Sequence, residues 1–262
     1  MKFKSLIKAA SLSFLVSSGA YAQFGGLFDP IGSMVLVIDT SGSMSGEKIK
    51  AAKQAASATA IQAILSGVEV SVKTFSGSSC SRPITRSLDF TMNIEEIGNF
   101  IETITASGGT PLGGAIRDAN LFMQRYKNSP SAMAVVLSDG DDTACGSVRN
   151  MIDQADRNAI DGLYEFNPVG FQLSQSSQAS KDLRYLADKS GGDLYFAEQP
   201  ASLQGIYSSI YQDWFPRAVE ITCKVRPNNP YCETDTDPCE DDPDFCAPDP
   251  CTINPRLCSI GN

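Results

Sequence analysis

The chain has 262 residues, 42% hydrophobic and 19% charged, enough for one well-cored domain with an extension. A formal net charge of −9 argues against nucleic acid and anionic membranes as partners and is compatible with divalent cations. The complete absence of histidine removes Ser-His-Asp and Cys-His nucleophilic systems and the usual histidine-rich zinc sites.

Residues 1–22 read as a cleavable secretory signal. Lys2, Lys4 and Lys8 make a basic start, Leu6 to Val16 holds an apolar stretch, and Ala20-Tyr21-Ala22 supplies small residues before Gln23. No cysteine stands at the cleavage point, which disfavours a bacterial lipoprotein. No later apolar segment approaches the ~18–20 residues of a membrane span. Removing the segment with its three lysines leaves about 240 residues and a charge near −12. The expected mature chain has no transmembrane segment and is secreted, periplasmic or held at the cell surface.

Val35 to Ile38 is a continuous apolar run of strand length, as in strands buried on both faces of a parallel sheet. Lys48 to Leu65 reads as a helix with Ile49, Ala52, Ala56, Ala60 and Ile64 on one small-residue face. Val68 to Phe75 alternates as a strand, and Ile94 to Ile104 and Leu112 to Tyr126 read as helices. A strand running to Leu137 and a helix from about Ser147 to Ala159 follow. Leu163 to Leu173 contains a strand whose bounds Pro168 unsettles. The last helix starts near Ser202, with Leu203, Ile206, Tyr207, Ile210 and Trp214 as a core-facing stripe, and Pro216 is expected to end it. The alternation predicts a doubly wound α/β fold, Rossmann-like, with a mostly parallel central sheet flanked by helices.

Two of the apolar runs end on an aspartate. Asp39-Thr40-Ser41-Gly42-Ser43 follows the first, and Ser138-Asp139-Gly140 follows the run Ala134 to Leu137. In open α/β sheets the carboxyl ends of the strands form the ligand crevice where the chain direction forks, so the two acids can meet there. Gly108-Gly109-Thr110-Pro111 offers a third hydroxyl on a loop that can approach closely, and Pro111 suits the first position of the helix beginning at Leu112. Hard cations such as Mg²⁺ take oxygen ligands at about 2.0–2.1 Å and retain several waters. Asp39, Ser41, Ser43, Thr110 and Asp139, directly or through water, match that demand with few charges. The bland alternative has the hydroxyls capping a helix and the acids binding backbone amides.

This set resembles the metal-ion-dependent adhesion site of von Willebrand factor type A domains. The wording Asp39-Thr-Ser-Gly-Ser-Met44 is similar to the bacterial form of the motif. Leu183 to Phe196 is similar to the family's late helix and final strand, so the resemblance covers about Ile31 to about Asp213. It implies a domain over residues 31–213 that binds Mg²⁺, or Mn²⁺ or Ca²⁺, through those five residues. It further implies a protein ligand whose Asp or Glu carboxylate completes the cation's shell. Specificity would then lie in the loops Gly77 to Arg82 and Asp141 to Ser147. The family's parallel strands would place Cys80 and Cys145 on the metal face, where a disulfide between them is expected; two free thiols are the alternative.

Residues 217–262 form a cysteine- and proline-rich acidic tail. Asp237-Pro-Cys239 through Cys246 and Asp249-Pro-Cys251 through Cys258 are two copies of one pattern, and Cys223 with Asn229-Pro-Tyr-Cys232 is a degenerate third. A segment this poor in apolar residues needs staples. Eight cysteines, an even number in an exported chain, suit that need. Six tail cysteines allow fifteen pairings; repetition favours Cys223–Cys232, Cys239–Cys246 and Cys251–Cys258. The tail aspartates lack the glycine of an EF-hand and read as a solvated acidic face.

Asp141 and Asp142, beside the metal loop, read as negative potential around the cation or as solvent-binding acids. The sequence as a whole points to a secreted, metal-dependent binding or adhesion module rather than an enzyme. The rival is a structural subunit of an extracellular assembly, built through the tail, in which a metal only stabilises the fold.

Overall fold

Eight consecutive buried residues, Gly32–Asp39, form strand β1 at the centre of the sheet. Because successive strand side chains point to opposite faces, the run divides: Met34, Leu36 and Ile38 enter one core, Val35 and Val37 the other. The computed structural model describes residues 29–159 and 162–232. After β1 come α1 (Glu47–Leu65), β2 (Val68–Phe75), β3 (Ile84–Thr91), α2 (Ile94–Glu102), α3 (Leu112–Tyr126) and β4 (Ala132–Ser138). Then follow α4 (Val148–Asn158), β5 (Glu165–Phe171), α5 (Gln178–Ser190), β6 (Tyr195–Ala197) and α6 (Leu203–Val225).

The strands lie in the order β3-β2-β1-β4-β5-β6, and every pairing is parallel except β2 with β3. From β1 the chain steps outward to β2, then returns across the sheet to β4 on the other side. The order therefore reverses between β1 and β4, and the loops leaving those strands diverge and open a crevice at their carboxyl ends. Ile38 pairs with Leu137, which brings the two strand ends level. The α/β doubly wound architecture is the one expected.

Helices α1, α2 and α6 cover the face that holds Met34, and α3, α4 and α5 cover the other. Ala52, Ala55, Ala56, Ala60 and Ala63 on α1 are buried, and their small size lets neighbouring helices lie close. On α6 the stripe Leu203, Tyr207, Ile210 and Trp214 is buried as core. A Cβ on Gly32 would sit 2.4 Å from the Trp214 ring, so only a residue without a side chain lets α6 seat against β1.

Three details depart from the sequence reading. Strand β3 was not anticipated; it is an antiparallel edge strand with no fully buried residue, so it lacks the burial pattern that marks the others. Strand β2 does alternate, with Val68, Val70 and Val72 in one core, yet its polar residues are buried too. Glu69 accepts bonds from Ser33 and Asn128, Ser71 donates to Leu88 O, and the Lys73 ammonium bonds Ser87 2.6 Å away and lies 3.4 Å over the Phe122 ring centre. Burial lowers the Lys73 pKa to about 8.

Pro216 does not end the last helix, which runs on to Val225. Packing on both sides of the proline overrides the lost donor: Trp214 and Ala218 are buried, and Arg217 is forked onto Glu165 at 2.9 and 3.0 Å. The helix thus crosses the boundary expected at 213–217, and Cys223, counted with the tail, lies on it. A Cys223–Cys232 disulfide fastens its end, while Thr222 donates to Ile31 O at 2.7 Å and Asn229 to Asp29 O at 2.8 Å. Pro168 stays inside β5, one residue before β6 begins to pair, where that edge of the strand is open. The signal segment and the two full tail repeats, with the pairs Cys239–Cys246 and Cys251–Cys258, lie outside the described residues. Among the described residues no helix is long and apolar enough to cross a membrane.

Candidate metal centre

Asp39 is the last residue of β1 and fully buried; Asp139 directly follows β4 and is 8% exposed. Between β1 and α1 the chain makes a short 3-10 turn, Gly42–Met44, whose Met44 is buried as an anchor. That turn lifts Ser41 and Ser43 back over the strand ends. Asp39 Oδ1 accepts the Ser41 amide at 2.8 Å, the Ser41 and Ser43 hydroxyls are 3.0 Å apart, and Ser43 donates to Asp139 Oδ1 at 2.7 Å. Four of the five expected residues therefore form one continuous chain of hydrogen bonds.

Thr110, 4% exposed, is set beside them through the main chain. Ser107 N donates to Thr40 O at 2.7 Å and Gly42 N to Gly108 O at 2.8 Å, which sews the loop before α3 to the loop after β1. Gly108 has a φ of +84°, and a Cβ on Gly109 would meet Thr143 Oγ1 at 2.7 Å and Gly77 O at 2.8 Å. The crowding makes glycine necessary at both positions. Pro111 stands just before the first helical residue, as its N-cap, one place earlier than expected.

The loop after β4 does more than its acids suggested. Asp142 accepts Gly113 N at the start of α3 (2.9 Å), Ala144 N (2.8 Å) and Cys145 N, while Asp141 accepts Ala179 N at the start of α5 (2.6 Å). Both carboxylates bind backbone amides of helix beginnings, not solvent or a surrounding field as read from the sequence. Helix N-termini present unpaired N–H groups and a partial positive charge, which is what such acids satisfy. Thr143 Oγ1 accepts Thr110 N at 2.8 Å, and Thr143 N returns a bond to Thr110 O at 2.9 Å. The expected Cys80–Cys145 disulfide is present and closes the β2–β3 loop onto this one. A Cβ on Gly114 would fall 2.3 Å from Cys80 O, so the first turn of α3 fits beneath the disulfide only because it carries no side chain there.

Three side chains at the centre were not singled out in the sequence. Ser138 donates to Asp39 Oδ2 at 2.8 Å, Thr143 holds Thr110, and Lys48, in the first turn of α1, places its ammonium 2.6 Å from Asp139 Oδ2. The signal for Ser138 was its place before Asp139; Lys48 had none beyond its position in the helix.

The electrostatics are unequal. Asp139 has a cationic partner, whereas Asp39 has only neutral donors and no ion pair among the described residues. Burial raises the Asp39 pKa from 3.8 to about 6; bonds from Ser41 and Ser138 work against the rise, and the nearby Asp139 charge adds to it. A buried carboxylate without a counter-charge, the Ser41 and Ser43 hydroxyls beside it, Thr110 held alongside through its main chain, and an exposed rim at Ser43 fit a hard divalent cation. Among the described residues no three His, Cys, Asp or Glu side chains gather as a metal cluster, and a cation in this crevice would draw its protein oxygens from these two acids and the hydroxyls.

Residues 34–141 match the von Willebrand factor type A domain family. Calcium-activated chloride channel regulator 1 of Equus caballus is 27% identical over 177 residues, 67% of this chain and 18% of that protein. The chain spans less than a fifth of the length of the curated relatives it matches. Among solved structures, the vWF domain of a type V pili tip protein from Porphyromonas gingivalis superposes with a TM-score of 0.55 at 15% identity, over 71% of this chain and 95% of that one. The pilus adhesin SpaC of Lactobacillus rhamnosus GG, in its open conformation, gives 0.58 at 14% identity, over 74% and 31%. Residues 34–141 thus carry the von Willebrand factor type A pattern, on the fold of the vWF-type domains.

Proposed function

We propose that the protein is an exported binding or adhesion module whose crevice holds a divalent cation, Mg²⁺ or alternatively Mn²⁺ or Ca²⁺, that bridges the domain to a carboxylate of a protein partner. The observation that carries this reading is the bonded chain Asp39–Ser41–Ser43–Asp139 at the switch point, with Thr110 stitched alongside and one acid lacking a counter-charge. The cation supplies a Lewis-acidic position for one further oxygen. Asp39 and Asp139 supply the negative charge, Ser41, Ser43 and Thr110 neutral oxygens, and the exposed edge at Ser43 the approach for a partner. Occurrence of the fold in a pilus adhesin and a pili tip protein is in keeping with work at a cell surface.

The test is capture of partners from the native cell surface with and without EDTA, set beside Asp39→Ala. Binding that vanishes with chelation and with the substitution supports the reading. Unchanged capture by Asp39→Ala without metal dependence removes it. Removal of residues 233–262 addresses the rival, since an assembly subunit working through its tail would lose its partners while a metal-dependent module would keep them.

A further inference from the structure

Lys48 is in an unexpected place. The amino end of a helix carries partial positive charge and favours acids, yet this lysine occupies the first turn of α1. Gly46, with a φ of +77°, turns the chain so that the lysine reaches back over the crevice. Its ammonium lies 2.6 Å from Asp139 Oδ2, with 24% of the lysine side chain and none of the aspartate's exposed. The other charged side chains near the crevice are engaged elsewhere: Asp141 and Asp142 on helix amides, and Lys50 on Glu47. Lys48 is the single cationic side chain bonded to the donor set among the described residues.

We infer that Lys48 is a built-in counter-cation that makes the crevice a weaker cation trap and a stronger carboxylate receptor. The inference rests on the cation-binding reading above and concerns the partner side of the same site. With both acids ionised, the two carboxylates and the lysine sum to one negative charge. A divalent cation then leaves the loaded crevice with one net positive charge, whereas without the lysine it would be neutral. The same ammonium therefore repels the incoming cation and, once the cation is seated, adds to the attraction for an anionic oxygen. These two effects have opposite signs, which separates them from a merely structural ion pair: loss of scaffolding would weaken both kinds of binding or neither.

The experiment uses the mature chain with its disulfides intact and two probes, Mn²⁺ alone and acetate added to Mn²⁺-saturated protein. Mn²⁺ affinity is read by calorimetry, and acetate by the fall in water proton relaxation as it displaces Mn²⁺-bound water. Lys48→Gln keeps a donor for Asp139 without the charge, Lys48→Met removes both, and Lys48→Arg retains the charge. A unit charge a few ångströms away in a partly exposed site supports a change of about tenfold in each constant. Lys48→Gln and Lys48→Met are expected to bind Mn²⁺ about tenfold tighter and acetate about tenfold more weakly, with Lys48→Arg tracking the wild type. Mn²⁺ binding unchanged or weakened by Lys48→Gln, or acetate binding not weakened, overturns the role of Lys48 while leaving the metal site standing. A wild-type protein that takes up no Mn²⁺ overturns both. Should Lys48→Met fail to fold, the comparison of Gln with Arg decides the matter alone.

Discussion

Replacing Asp39 by asparagine should stabilise the metal-free protein, an outcome opposite to that usually expected from altering a fully buried residue at the heart of a site. Asparagine is nearly isosteric: its oxygen can accept the Ser41 amide as Asp39 Oδ1 does at 2.8 Å, and its amide can donate to Ser138, whose hydroxyl proton then turns to Gly140 O, 3.3 Å away. What disappears is a buried charge without a counter-ion. The gap between 3.8 and about 6 for the Asp39 pKa corresponds to about 3 kcal/mol of penalty once the group is ionised. Between those two values the folded chain holds a proton that the unfolded chain has released. Stability from this group is therefore full below pH 3.8 and lost as pH rises through about 6. The gain from Asp39→Asn should accordingly be largest at pH 7.5, up to about 3 kcal/mol, and shrink towards nothing below pH 4. Urea unfolding in EDTA reads it through Trp214, the chain's one tryptophan, which is 2% exposed. Adding Mg²⁺ at pH 7.5 should stabilise the wild type and leave the variant unmoved. A variant less stable than wild type in EDTA at pH 7.5, or one that still responds to Mg²⁺, would refute the reasoning.

Removing the disulfide with Cys80→Ser and Cys145→Ser together should cost on the order of 4 kcal/mol, from the sequence separation of 65 residues it closes. Urea midpoints with and without reductant measure this, and a wild type insensitive to reductant would contradict it. Asp142→Ala leaves three amides without their acceptor, including that of Gly113 at the start of α3, and should cost about 2 kcal/mol. It should also weaken Mg²⁺ binding, since the loop that holds Thr110 comes loose; an unchanged calorimetric titration would show that Thr110 does not depend on that loop.

The contrast between Asp39 and Asp142 shows what an aspartate near a metal motif can mean. Both lie on the carboxyl side of the sheet. Asp142 is saturated by three amide donors and needs nothing further, so it acts as a fastener. Asp39 has only the neutral donors of Ser41 and Ser138 in full burial, which leaves its charge uncompensated. Residue type and neighbourhood in sequence cannot separate the two, because the difference lies in which helix begins within reach.

The doubly wound sheet, and the end of it at which Asp39 and Asp139 emerge, were legible in the sequence. Unbroken apolar runs such as Val35 to Ile38 and Ala134 to Leu137 suit strands covered on both faces, and an aspartate after each such strand emerges at its carboxyl end. Loop glycines and the odd hydroxyls of Ser41 and Ser43 marked the loops that meet there, and the cysteine count agreed with Cys80–Cys145 and Cys223–Cys232. Tertiary structure alone decided the features that depend on contacts between distant segments. Pro216 stays within α6 because packing against the sheet outweighs a missing hydrogen bond, an energy that no local pattern records. Edge strand β3 exists through its pairing with β2, since a strand with no fully buried residue leaves little burial signal. Lys48 and Asp139, 91 residues apart, meet only after the strand order reverses at β1 and β4. Charge compensation is a property of that meeting, and so it could not be read from either stretch alone.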